Sequence, residues 1–189
     1  MNLVSLLKVV AKRLNKAEIP YMVSGGIAVS YWGFPRTTHD IDIVIEAKEE
    51  DKDKIVGFFN KDFYISPEAV EDAIKTRFTF NIIHNRSGLK VDFWLIKEDS
   101  FGKSEFTRKL KKKMFGEEIF IISPEDLILS KLLGYKETQS DRRLEDARSI
   151  LKTSKVNLNY IKNWAKKQST TEILKEILKN NIKIKGRAQ

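Results

Sequence analysis

The chain of 189 residues contains no cysteine, only two histidines and only four prolines. Without cysteine there is no disulfide staple, no thiolate metal site and no cysteine nucleophile, and the simplest expectation is a cytoplasmic setting. His39 and His84 lie far apart without partners at metal-ligand spacing, so both read as bystanders. No run of about 18 apolar residues occurs, which excludes a membrane-spanning helix. The amphipathic start from Met1 to Lys8 lacks the small-residue cleavage site of a signal peptide. Internal repeats and low-complexity segments are also missing. Acids are the scarcer charge, 26 against 35 basic residues, for a net charge of +9. That excess points to a polyanionic partner such as RNA or a nucleoside triphosphate; a solubilising, lysine-rich surface accounts for it equally well.

What is present is a mixed succession of elements. Behind Asn2, a ready N-cap, Leu3, Leu6, Leu7, Val10 and Leu14 recur at helical spacing up to Lys16. Pro20 to Ser24 reads as a short strand, and Gly25-Gly26 opens a helix that ends before Gly33 and Pro35. An acidic strand follows from Asp40 to Glu46, then a charged helix over 48–60 with Ile55, Val56, Phe58 and Phe59 inward, and a short helix over 67–75. The strands 78–84 and 89–96, joined by Asn85-Arg86-Ser87-Gly88, read as a hairpin. Residues 100–115 read as a helix carrying the basic run Arg108 to Lys113, either a solvated face or a nucleic-acid contact. After a last strand near 117–122, Ser123-Pro124-Glu125-Asp126 is a strong helix start. Further helices are expected over 141–152, 157–167 and 170–180, with a frayed basic end over 182–189. The expected fold class is α/β of the α+β kind: a small mixed β-sheet core with packed helices over 1–122, then a helical C-terminal region over 123–189.

Chemistry concentrates in two places. Ile41, Ile43 and Ile45 alternate with Asp40, Asp42 and Val44, so both carboxylates leave one face, their Cα atoms roughly 6.6 Å apart. Carboxylates that close repel unless a cation lies between them, and a divalent ion is the usual answer. Gly25-Gly26 lets backbone amides approach a ligand at a helix start, which suits phosphate oxygens. Asp92 interrupts an otherwise apolar strand, and an acid there is costly to bury alone. Lys131 falls inside the apolar arc formed by Leu127, Ile128, Leu132 and Tyr135, so it must snorkel outward or meet a buried anion.

The Gly-Gly turn, the following helix and then acid-apolar-acid at Asp40 and Asp42 resemble the signature of the nucleotidyltransferase superfamily, with its DNA polymerase beta-like fold. Asp92 stands where that pattern expects a third acid. The run Arg36-x-Thr38-x-Asp40-Ile41-Asp42 resembles most closely the abortive-infection type toxin nucleotidyltransferases, and the likeness covers roughly Pro20 to Leu151. The resemblance implies that Asp40, Asp42 and Asp92 are the catalytic, Mg²⁺-holding acids of a two-metal site. It implies that Ser24, Gly25, Gly26, Ser30, Arg36, Thr38, Lys131 and Asp146 serve nucleotide binding, ATP being one candidate; a surface salt bridge is an equally good account of Asp146. The implied reaction moves a nucleoside monophosphate from a triphosphate to a hydroxyl acceptor, RNA or tRNA in a toxin-like role with an antitoxin protein as partner. An antibiotic-modifying nucleotidyltransferase, or a basic nucleic-acid-binding protein that keeps the fold without turnover, are the alternatives.

Overall fold

A computed structural model of the protein describes residues 1–185. Its contacts divide the chain into two compact units, Met1–Ile27 with Thr37–Ile122, and Ala28–Arg36 with the chain from Ser123 onward. The first unit is built on a seven-stranded mixed sheet. Its strands are β1 (Tyr21–Val23), β2 (Asp40–Ile45), β3 (Phe63–Tyr64), β4 (Thr79–His84), β5 (Lys90–Leu95), β6 (Leu110–Met114) and β7 (Glu117–Ile121), ordered β3-β4-β5-β2-β1-β7-β6. β2 runs parallel to β5 and antiparallel to β1, so the acidic strand is central.

Period-two alternation does the work that the sequence promised. Ile41, Ile43 and Ile45 on β2 and Val91, Phe93 and Leu95 on β5 are all at most 3% exposed, which turns the intervening residues to the opposite face. Burying each such side chain stabilises the sheet by about 1.5–3 kcal/mol. Helix α1 (Leu3–Lys16) is capped by Asn2, whose side chain accepts the Ser5 amide, and it buries Leu6, Leu7, Val10 and Leu14. Phe59 packs edge-on against Phe63, and Phe80 stacks on Phe93.

Helix α2 (Gly25–Trp32) starts in the first unit and continues into the second. A 3₁₀ turn, Glu49–Asp51, precedes α3 (Lys52–Phe59), and α4 is Pro67–Thr76. The second unit comprises the rest of α2 with α6 (Pro124–Thr138), α7 (Asp141–Thr153), α8 (Leu158–Lys167) and α9 (Thr171–Lys185); α5 (Ser100–Thr107) belongs to the first. Ser123 caps α6 by accepting the Asp126 amide. The Asp126 carboxylate, fully buried, accepts the Ser123 hydroxyl and the Tyr160 hydroxyl.

Several expectations are corrected. The run Leu110–Met114 is not helical: it is the edge strand β6, paired antiparallel with β7 around Phe115 and Gly116, both at positive φ. An edge strand rich in lysine, here Lys111 to Lys113, is a common defence against strand-to-strand association. Within α3, Ile55 and Phe59 are buried whereas Val56 and Phe58 are only half-buried. The two-residue strand β3 went unanticipated, being too short to show a period. Helix α9 runs on to Lys185, past the expected end of that helix near residue 180, and the expected frayed end otherwise lies outside the described residues.

Candidate active site

The register of β2 against β5 sets Asp42 directly opposite Asp92 and Asp40 opposite Lys90. Paired residues of neighbouring strands share a face, and adjacent strands lie about 4.8 Å apart, so the three expected acids come to one side of the sheet. Each is held by a protein partner. The Thr38 hydroxyl donates to Asp40 Oδ1 at 3.0 Å. The Trp94 indole N–H donates to Asp42 Oδ1 at 3.4 Å. Lys90 Nζ lies 2.8 Å from Asp92 Oδ2. The hydrogen bond to Asp92 raises the Lys90 pKa above the usual lysine value; burial opposes this, and the charges of Asp92, Asp40 and Asp42 add to the rise.

Gly25 closes the site from β1's end. Its φ is +58°, and a Cβ built there would fall 1.8 Å from Asp42 Oδ2. The backbone therefore lies directly against the carboxylate, and the strand-end amide of Ser24 donates to the Asp42 carbonyl at 2.9 Å. Only glycine meets both demands at once, a left-handed backbone and no side chain. Gly26 follows it in the first turn of α2.

The remaining residues expected in nucleotide binding gather in the second unit. The hydroxyls of Thr153 and Ser154 donate to the Trp32 carbonyl, and Ser149 Oγ accepts the Phe34 amide, so the loop after α2 is fastened to α7. Ser30 Oγ donates to the Arg36 carbonyl at 3.2 Å and accepts its amide at 3.3 Å. The Arg36 guanidinium thereby meets Asp146, with Nε 2.7 Å from Oδ1 and the second nitrogen 3.0 Å from Oδ2. Lys131 Nζ adds a contact 2.8 Å from Asp146 Oδ2. Thus Lys131 meets a buried anion instead of snorkelling. The Asp146 side chain is only 4% exposed, which corrects the surface salt bridge to a buried one. A carboxylate in so dry a place is costly unless cations pair with it.

Sequence reasoning missed Lys90. Its spacing, two residues before Asp92 on the same strand, put it on the acids' face and was the available signal. His84 is buried, its Nδ1 bonded to Ser87 Oγ at 2.9 Å, and stands as a structural residue. Among the described residues, no group of three His, Cys, Asp or Glu side chains is arranged to hold a metal ion. The donor chemistry nevertheless suits a hard divalent cation, because three carboxylates share one face of the sheet and the one at Asp92 already holds a positive charge, the Lys90 ammonium.

Fold and family match together define a nucleotidyltransferase. The chain belongs to the family described as Aminoglycoside-2''-adenylyltransferase, which it matches over residues 6–145. No curated protein matches it. Among solved structures, it is similar to ANT(2")-Ia in complex with adenylyl-2"-tobramycin, with 11% identity over 88% of this chain and 97% of that one and a TM-score of 0.60. It is similar to the lincosamide antibiotic adenylyltransferase LnuA bound to lincomycin, 12% identical over 79% and 97% of the two chains, with a TM-score of 0.54. An antigenic nucleotidyltransferase-like protein from Paracoccidioides brasiliensis is 19% identical over 78% and 72%, with a TM-score of 0.52. At such identities these likenesses show the shared fold. Divalent cations generally serve nucleotidyltransferases, and no helix among the described residues is long and apolar enough to cross a membrane.

Proposed function

We propose that the protein transfers a nucleoside monophosphate, adenylate from ATP in the first instance, to a hydroxyl of a small, cationic, antibiotic-like acceptor, with Mg²⁺ held by Asp40, Asp42 and Asp92 in a two-metal site. The observation that carries this reading is the pairing of Asp42 with Asp92 across β2 and β5, with Gly25 pressed against Asp42. Family membership favours the small-molecule acceptor. When bound, Mg²⁺ would neutralise the triphosphate and lower the acceptor hydroxyl's pKa.

The chain's own residues supply the rest. The acceptor oxygen attacks the α-phosphorus, the bond from that phosphorus to the oxygen bridging it to the β-phosphate breaks, and pyrophosphate leaves with the bridging oxygen. Asp92 takes the hydroxyl proton. Ser24 and the Gly25 and Gly26 amides hold phosphate oxygens, while Thr38 fixes the Asp40 carboxylate. Arg36 and Lys131 supply charge of the type that phosphates need, with Ser30 and Asp146 setting their positions. In this reading residues 1–122 form the catalytic core and 123–189 a helical accessory region, at work in the cytoplasm.

A second reading, a toxin-like enzyme acting on RNA or tRNA and restrained by an antitoxin protein, is favoured by one observation. The net charge is +9, and β6 presents Lys111 and Lys113 exposed at a sheet edge. The deciding experiment incubates the protein with each labelled nucleoside triphosphate and either an aminoglycoside and lincosamide panel or total RNA, with and without Mg²⁺. Label on an antibiotic, only with Mg²⁺, is the expected result. Label on RNA moves the assignment to the second reading, and no transfer under any condition overturns both.

A further inference from the structure

We propose that Lys90 is the resident counter-cation of the carboxylate face, occupying in the metal-free protein the place that a divalent ion takes, so that metal binding requires the lysine to withdraw. This inference rests on the reading of Asp40, Asp42 and Asp92 as metal ligands. Lys90 is register-paired with Asp40 and sits two residues before Asp92, on the face that Asp42 shares. Its ammonium lies 2.8 Å from Asp92 Oδ2, a distance at which its charge fills a coordination direction of that oxygen.

The two partners differ in freedom. The Lys90 side chain is 43% exposed and the Asp92 side chain 15%, so the lysine can swing to water while the acid stays on its strand. Three carboxylates that share one face of the sheet disfavour one another's charge when no cation lies among them. The lysine relieves that repulsion and keeps the acids folded in place until a stronger cation arrives. A divalent ion brings twice the charge and accepts several oxygens at once, whereas the ammonium satisfies one oxygen well. Nucleotide-bound metal gains further, because phosphate oxygens complete the coordination shell and the released ammonium stands ready beside a polyanion. Lys90 thus weakens the binding of free metal relative to metal bound to nucleotide, a selectivity that the acids alone do not provide.

The test measures Mn²⁺ binding without nucleotide, by the loss of the free-ion electron paramagnetic resonance signal, for the parent, Lys90→Met and Lys90→Arg. Removing the competing charge in Lys90→Met should tighten Mn²⁺ binding by about fivefold, the scale of one half-exposed ion pair. Lys90→Arg keeps the charge and should bind like the parent. In parallel, lysine ¹³Cε spectra of the parent, with the Lys90 signal identified by its loss in Lys90→Arg, should show that signal moving on addition of Mg²⁺. This measurement decides the matter even where Lys90→Met does not fold. Unchanged or weaker Mn²⁺ binding in Lys90→Met, or a Lys90 signal indifferent to Mg²⁺, overturns the proposal while leaving the metal site standing. Absence of Mn²⁺ binding in the parent and both variants overturns the metal reading itself.

Discussion

Asp42 lies directly against the Gly25 backbone and accepts the Trp94 indole N–H at 3.4 Å. Gly25→Ala should therefore do two things at once. A left-handed backbone at an L-residue costs about 1–2 kcal/mol, and the new methyl group must push Asp42 aside. Thermal unfolding should register the first effect, and transfer activity should fall much further than stability does. The carboxylates themselves should behave in the opposite way. Asp42→Asn can still accept from Trp94, and Asp92→Asn frees a half-exposed lysine to turn to water, so each should change stability by no more than about 1 kcal/mol. Transfer should nevertheless drop by orders of magnitude, since a neutral amide is a poor ligand for a hard cation. A large fall in unfolding midpoint for either variant, measured without metal, would mark that acid as structural.

At the level of elements, the alternation in β2 and β5 and the N-caps at Asn2 and Ser123 were legible because each depends on neighbours two to four residues away. The strand β6 was not, because Arg108 to Lys113 offers too little apolar alternation to reveal a period, and only pairing with β7 decides its conformation. The Asp146 cluster was only half legible. The helical arc left Lys131 to snorkel or to meet an anion, and nothing local revealed that Arg36 and Lys131 would share the same carboxylate. Asp146→Asn should leave two cations without their buried partner and cost about 3–5 kcal/mol. Lys131→Met keeps both Arg36 contacts to Asp146 and should cost clearly less, while lowering nucleotide affinity if the ammonium serves phosphate. Denaturant unfolding of both variants, beside nucleotide titration of Lys131→Met, checks that order. Elsewhere Glu71 of α4 is gripped by Lys52 from α3 and by Lys75, each 2.5 Å away, and these hydrogen bonds lower its pKa from 4.5 to about 2. A carboxyl group whose pKa is depressed by folding adds stability that is complete above pH 4.5 and lost as the pH falls toward about 2. Carboxyl-carbon titration should place Glu71 low in that window, and Glu71→Gln should flatten the acid limb of the stability profile.

For the whole molecule, the unresolved tension is between a family of small-molecule modifiers and a net charge of +9. Salt separates the two because its effects on the acceptors have opposite signs. A polyanionic acceptor releases counterions when bound, so kcat/KM for RNA should collapse by several orders of magnitude between about 50 and 200 mM salt. A cationic antibiotic is repelled by a positive protein at long range, and screening removes that repulsion while the local carboxylates still attract at contact. With Mg²⁺ and ATP kept saturating at every ionic strength, so that nucleotide capture is not limiting, kcat/KM for an aminoglycoside should stay level or rise over the same range. A steep fall for the aminoglycoside would mean that carboxylates near the acceptor, not the net charge, govern its capture, and would sink this account of the salt dependence. The small-molecule assignment gives way to a polyanionic acceptor if RNA alone is labelled and its kcat/KM collapses with salt, with the lysines of β6 as the first positions to neutralise.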